Sequence, residues 1–122
     1  MQSLRLLGRA LDSLTVEADG LIAHGTICYR DYQELGATDA DTEGIVNSLA
    51  AVKGPKVVIL LREVEPGTVR VSLRSRDGVD VNVVAKAFDG GGHAAAAGCT
   101  VNGSLEEAEI RVISEVRRWM AS

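Results

Sequence analysis

The stretch KVVILLREVEPGTVRVSLRSR, residues 56–76, decides the fold. Its first part, residues 56–63, is apolar on both faces, the pattern of a strand covered on both sides and therefore central in a sheet. Glu65, Pro66 and Gly67 make a turn. Residues 68–76 then alternate. Val69, Val71 and Leu73 fall on one face, and Arg70, Ser72, Arg74 and Arg76 on the other. That period of two predicts a hairpin partner with one buried face and one polar face.

Outward from this hairpin, strand and helix patterns take turns. Residues 20–30, GLIAHGTICYR, read as a strand, and residues 31–40 as a polar loop. A helix over 41–53 follows, capped by Asp39 or Asp41, with Ile45, Leu49 and Val52 on one face and Gly54-Pro55 as its stop. Downstream, a short helix is expected near 80–88 with Asp80 as cap, then GGGHAAAAG at 90–98 and a strand CTVN at 99–102. A last helix runs over 105–120, where Ser104 and Glu107 have capping-box spacing and Val112, Ile113, Val116 and Met120 form the inner face. At the start, residues 3–14 place Leu4, Leu7, Leu11 and Leu14 at three- and four-residue steps, one seam of a helix. The seam packs on this domain or on another domain or copy. The class is α/β, a mixed sheet of about five strands flanked by helices.

Composition narrows what the chain can do. At 122 residues it is one domain, with 46% hydrophobic and 25% charged residues, a soluble globular profile that excludes disorder. The longest strongly apolar run, VVILL at 57–61, is far short of the ~20 residues of a membrane span, and the N-terminus lacks the unbroken apolar core of a signal peptide. Two cysteines without a secretory signal predict free thiols in a reducing, cytoplasmic setting. A net charge of −4 argues against a protein that coats nucleic acid through a basic surface.

Three features could carry chemistry. Gly90, Gly91 and Gly92 in succession leave the backbone without Cβ atoms, a concavity whose amides suit an anion. His93 follows with a ring donor, and Ala94, Ala95, Ala96 and Ala97 keep the wall small; a helix stop and tight turn is the alternative. On the strand at 68–76, Ser72, Arg74 and Arg76 share a face and make a phosphate or ribose cradle, or simply a solvated face, while Ser75 points the other way unless the strand bulges. The residues His24, Cys28, His93 and Cys99 lack the spacing of a zinc site and read as structural, the cysteines as small core residues. Asp39, Asp41 and Glu43 read as helix-start charges, and Gly44 in that turn marks close approach of a neighbour or ligand.

In order, TEG (42–44), SLRSR (72–76), VNVVAKAF (81–88), GGGH (90–93) and AAG (96–98) resemble the DHHA1 domain of the DHH phosphoesterases, in the branch of oligoribonucleases and phosphoadenosine-phosphate (pAp) phosphatases. The resemblance implies a two-lobed enzyme. A DHH lobe, not part of this sequence, would hold two metal ions, usually manganese, and hydrolyse the substrate. A DHHA1 lobe, residues 16–122, would grip the nucleotide end, with residues 1–15 as the end of the connector helix. Carried over by position, Arg74 with Ser72 or Ser75 would contact phosphate and ribose, and His93 with the amides of Gly90, Gly91 and Gly92 would hold the terminal nucleotide. The implied partners are short RNA or nucleotide phosphates, the DHH lobe, and possible homodimer formation. The implied parent is a metal-dependent hydrolase; this chain carries no catalytic residue and no cofactor of its own. Asp89 departs from relatives with a fourth Gly at that place, so its carboxylate must point away or orient a donor. The alternatives are a non-catalytic dimerisation module, or the related domain of a RecJ-type exonuclease or an alanyl-tRNA synthetase.

Overall fold

The computed structural model describes residues 1–17 and 20–120. Residues 18–19 and 121–122 of the expected domain lie outside that description. The elements are α1 (Gln2–Asp12), β1 (Thr15–Glu17), β2 (Ile22–Ile27), α2 (Tyr29–Leu35), a 3-10 turn (Asp39–Thr42), α3 (Ile45–Ala50), β3 (Val57–Glu65), β4 (Thr68–Ser75), α4 (Asn82–Lys86), β5 (Gly91–His93), β6 (Ala96–Asn102) and α5 (Leu105–Met120). Six strands form one mixed sheet in the order β1-β2-β3-β4-β6-β5. Among the described residues only β2 and β3 run parallel, joined by the α2–α3 crossover, and every other pair is antiparallel.

The hairpin pattern at 56–76 explains the layering. In β3, Val57, Ile59 and Leu61 enter one core with Val69, Val71 and Leu73 of β4 and Val112 and Val116 of α5. Val58 and Leu60 enter the other, with Leu6 and Ala10 of α1 and Ile45, Val46 and Leu49 of α3. Each such fully buried aliphatic side chain contributes roughly 1.5–3 kcal/mol. The second core stops at β3. Beyond it, that face of β4 and β6 carries polar residues, Gly98 and the small Ala96, so this part of the sheet face is left without an apolar helix layer.

The mixed sheet flanked by helices is as expected; its strands number six rather than about five, because the three-residue β1 is too short to leave a period in the sequence and β5 is made of glycine and histidine. Three expectations are corrected. Residues 31–40 include helix α2, nucleated where Asp31 accepts the Cys28 backbone N–H at 2.8 Å, with Tyr32 buried. The helix expected over 41–53 is a 3-10 turn followed by α3, because Gly44 turns the chain at φ 85° with nothing within 4 Å of where its Cβ would stand. In α1 the buried face is Leu6 and Ala10, while Leu4 and Leu11 of the expected seam are 68% and 47% exposed. The capping box of α5 forms as expected: Glu107 N–H donates to Ser104 Oγ at 3.1 Å and Ser104 N–H to Glu107 Oε1 at 3.3 Å. No helix among the described residues is long and apolar enough to cross a membrane.

Candidate functional site

Register across the sheet brings the sequence-selected residues onto one face. Arg74 pairs with Ala96, and Ala96 with His93; Ser72 pairs with Gly98, and Gly98 with Gly91. Directly paired residues project to the same side. Arg74 and His93 therefore stand in one row, two strand spacings or roughly 10 Å apart. Arg74 is partly engaged, its Nε donating to Asn47 Oδ1 and its Nη1 to the Leu73 carbonyl, both at 3.0 Å. His93 is exposed, and its ring makes no hydrogen bond with any described residue.

Ser75 is not brought to this face. It pairs with Val57, whose side chain is in the α5-side core, and its hydroxyl donates to the carbonyls of Val79 at 2.5 Å and Ala94 at 3.0 Å. It ties two loops together. Arg76 donates to the carbonyls of Ala50 and Val52 and so closes the end of α3.

The glycines have partly internal reasons. A Cβ on Gly90 would lie 2.2 Å from the Gly98 carbonyl oxygen, and one on Gly92, which holds φ 149°, would lie 2.6 Å from that of Ala96. Both let β5 lie against β6. Gly91 is exposed, with only Asn82 Oδ1 within 4 Å of its Cβ position. That oxygen is buried without a partner among the described residues. Asp89 turns the chain out of α4 at φ 62°, and its exposed carboxylate bonds to no described residue.

A hollow of about 530 Å³ opens beside Gly90, lined also by Asp89, Gly98, Thr100, Ser72, Arg62 and Arg70. A smaller one of about 260 Å³ holds Arg74, Lys56 and Ala95. Arg74 and His93 thus share a face, yet neither of these hollows is lined by both. The guanidinium groups facing the glycine backbone are those of Arg62 and Arg70. They are the functional candidates that sequence reasoning passed over. Arg62 stood at the end of an apolar run, and its partner Asp39 read as a helix cap.

Asp39 is the hub of that wall. Both carboxylate oxygens accept from Arg62 Nη1, at 2.6 and 2.7 Å, and Oδ2 also accepts from Arg70 Nη1 at 3.1 Å. Tyr32 Oη donates to Oδ1 at 3.0 Å, and Arg62 Nη2 to Ser72 Oγ at 3.2 Å. Burial pushes the Asp39 carboxyl upward, but the Arg62 hydrogen bonds and charge, with Tyr32 and Thr42, outweigh it and hold the group below its usual range. Burial, then the Asp39 charge, raises the Tyr32 phenol. The Arg62 Nε is buried without a partner among the described residues.

The other histidine lies on the opposite face. His24 is buried, with Nδ1 at 2.6 Å from Glu109 Oε2 and Nε2 against Glu17, which Arg117 also binds at 2.9 Å. Cys28 Sγ donates to Asp31 at 3.2 Å, and burial pushes the Cys99 thiol up to about 11. Among the described residues no group of three or more His, Cys, Asp or Glu side chains could hold a metal ion.

The fold and its motifs define a DHHA1 domain. The DHHA1 family model matches residues 24–122, and the chain belongs to that family. It is 35% identical over 114 residues to the bifunctional oligoribonuclease and PAP phosphatase NrnA of Thermus thermophilus, covering 93% of this chain and 33% of that protein. Among solved structures, an exopolyphosphatase-related protein from Bacteroides fragilis superposes with a TM-score of 0.84 at 27% identity, over 97% of this chain and 35% of that one. A pGpG-specific phosphodiesterase, PggH, from Vibrio cholerae shares the fold with a TM-score of 0.63 at 14% identity, over 98% of this chain and 39% of that one. The chain thus spans about a third of the length of these relatives.

Proposed function

We propose that this domain is the substrate-recognition lobe of a phosphoesterase acting on short oligoribonucleotides or nucleotide phosphates of the pAp kind. The observation that carries this reading is the open sheet face, where Arg74 and His93 stand in one row and Ser72, Gly98 and Gly91 in the next. Guanidinium forks suit phosphate, and backbone without Cβ atoms lets a sugar or base approach. The lobe works by positioning, holding the substrate end while a second lobe breaks the bond. That second, DHH lobe would hold the manganese expected of the family. The residues described here offer no donor set for it. The chain alone is therefore expected to show no manganese-dependent hydrolysis. The free thiols of Cys28 and Cys99 agree with a cytoplasmic home.

Titrating pAp and a short RNA into the isotopically labelled chain tests this. Amide shifts at Gly91, His93, Ser72 and Arg74 are expected, and His93→Ala should weaken binding about tenfold without unfolding the domain. Shifts absent from this face would overturn the reading.

A second reading, a contact surface on α1, is favoured by Met1, Leu4 and Leu11, which are 79%, 68% and 47% exposed. A second copy of the chain would cover them, and concentration-dependent shifts on α1 alone, without nucleotide effects, would favour this reading over the first.

A further inference from the structure

The open face carries three arginines, and their engagement differs. Arg62 is spent: Nη1 lies on both oxygens of Asp39, Nη2 on Ser72, and its side chain is 15% exposed. Arg74 is held by Asn47 and the Leu73 carbonyl. Among the described residues Arg70 makes one side-chain hydrogen bond, Nη1 to Asp39 at 3.1 Å, and its side chain is 57% exposed. A guanidinium has about five N–H donors, so most of the Arg70 fork is open. It opens on the hollow that holds Gly90, Gly98 and Thr100.

Resting on the reading of this face as a nucleotide-binding one, we infer that Arg70 grips a phosphomonoester of the ligand and that Asp39 is its positioning residue. The charges explain the arrangement. One carboxylate stands between two guanidinium groups, so the cluster keeps one net positive charge while the two cations are held side by side. Asp39 is itself fixed from three directions, by Arg62, Tyr32 and Thr42, at 2.6, 3.0 and 3.2 Å to Oδ1. A fixed carboxylate aims the exposed guanidinium without using its outer edge. A phosphate can then bind that edge in a bidentate manner, with little side-chain freedom left to lose. Asp89 also lines this hollow, and its carboxylate opposes any anion there, so the attraction must come from the open fork.

The test uses the 122-residue chain with two probes, a 5′-phosphorylated diribonucleotide and the same dinucleotide without the phosphate. Affinities are read by calorimetry or chemical shift at several salt concentrations. Arg70→Gln is expected to lower the preference for the phosphorylated probe about tenfold and to reduce the salt slope by about one. Arg70→Lys should keep the slope and lose part of the preference, because a point charge replaces a fork. Asp39→Asn should also lower the preference, although it adds a positive charge to the cluster. A preference that rises in Asp39→Asn would show that the carboxylate only screens the phosphate, and would overturn its positioning role. Wild-type chain that binds both probes, with Arg70→Gln unchanged in preference and slope, would overturn the inference and leave the reading of the face intact. Wild-type chain that binds neither probe would overturn both. Arg70 is mostly solvated, so Arg70→Gln decides the matter if Asp39→Asn fails to fold.

Discussion

The α-carbon of Gly90 lies so close to the carbonyl of Gly98 that a Cβ there would approach the oxygen to 2.2 Å and the Cys99 Cβ to 2.6 Å. The obstacle is backbone, which cannot swing aside. Gly90→Ala is therefore expected to destabilise the domain by about 2 kcal/mol or more, and Gly92→Ala by a similar amount because its backbone is also in a region that L side chains avoid. Gly91→Ala should stay within about 1 kcal/mol of wild type. Urea denaturation of the three variants checks this, and a Gly91 variant as damaged as the Gly90 one would contradict it.

The leucines of α1 separate packing from periodicity. Leu6 is fully buried, and Leu4 is 68% exposed. Leu6→Ala is expected to lower stability by about 2–5 kcal/mol and Leu4→Ala to change it by less than about 0.5 kcal/mol in the isolated chain. Equal losses for the two would mean that α1 packs through the other seam.

His24 bridges two carboxylates from different elements, Glu17 on β1 and Glu109 on α5. Replacing it by alanine removes the ring and leaves two acidic groups facing an emptied site. His24→Ala should lower the unfolding free energy by about 2–4 kcal/mol. A urea midpoint that does not move, with the slope unchanged, would show that the bridge contributes nothing.

Asp39 predicts an acid-sensitive stability. Its folded-state pKa lies below the ordinary 3.8, so the stabilisation it brings is fully present above that value and is lost as pH falls through the lowered one. Between about pH 5 and pH 2, Asp39→Asn should show a shallower loss of stability than wild type. The comparison is made by urea denaturation at a series of pH values, and parallel curves would remove Asp39 from the acid limb.

The hairpin at 56–76 was legible because its two halves follow different rules, one apolar throughout and one strictly alternating. The α5 capping box was legible because its contacts span only three residues. Element α2 was not, although its capping contact also spans three residues, because Cys28 is not a residue type that marks a helix start and the helix is held by packing on α1 and β3. The glycine run was legible as a special backbone, but the cause assigned to it was a ligand. In two of its three positions the cause is the opposing strand β6.

The amino-acid order alone determined the α/β class, the central strand, the polar face of β4 and the family motifs, because periodicity and local turn chemistry act within a few residues. Only the tertiary structure decided that His93 shares a row with Arg74, that Ser75 faces away, and that Asp39 joins Arg62 and Arg70. Those relations depend on strand register and on side chains 23 and 31 residues apart in the chain. No local pattern encodes which distant charges meet; the packing of the crossover helices against the sheet does.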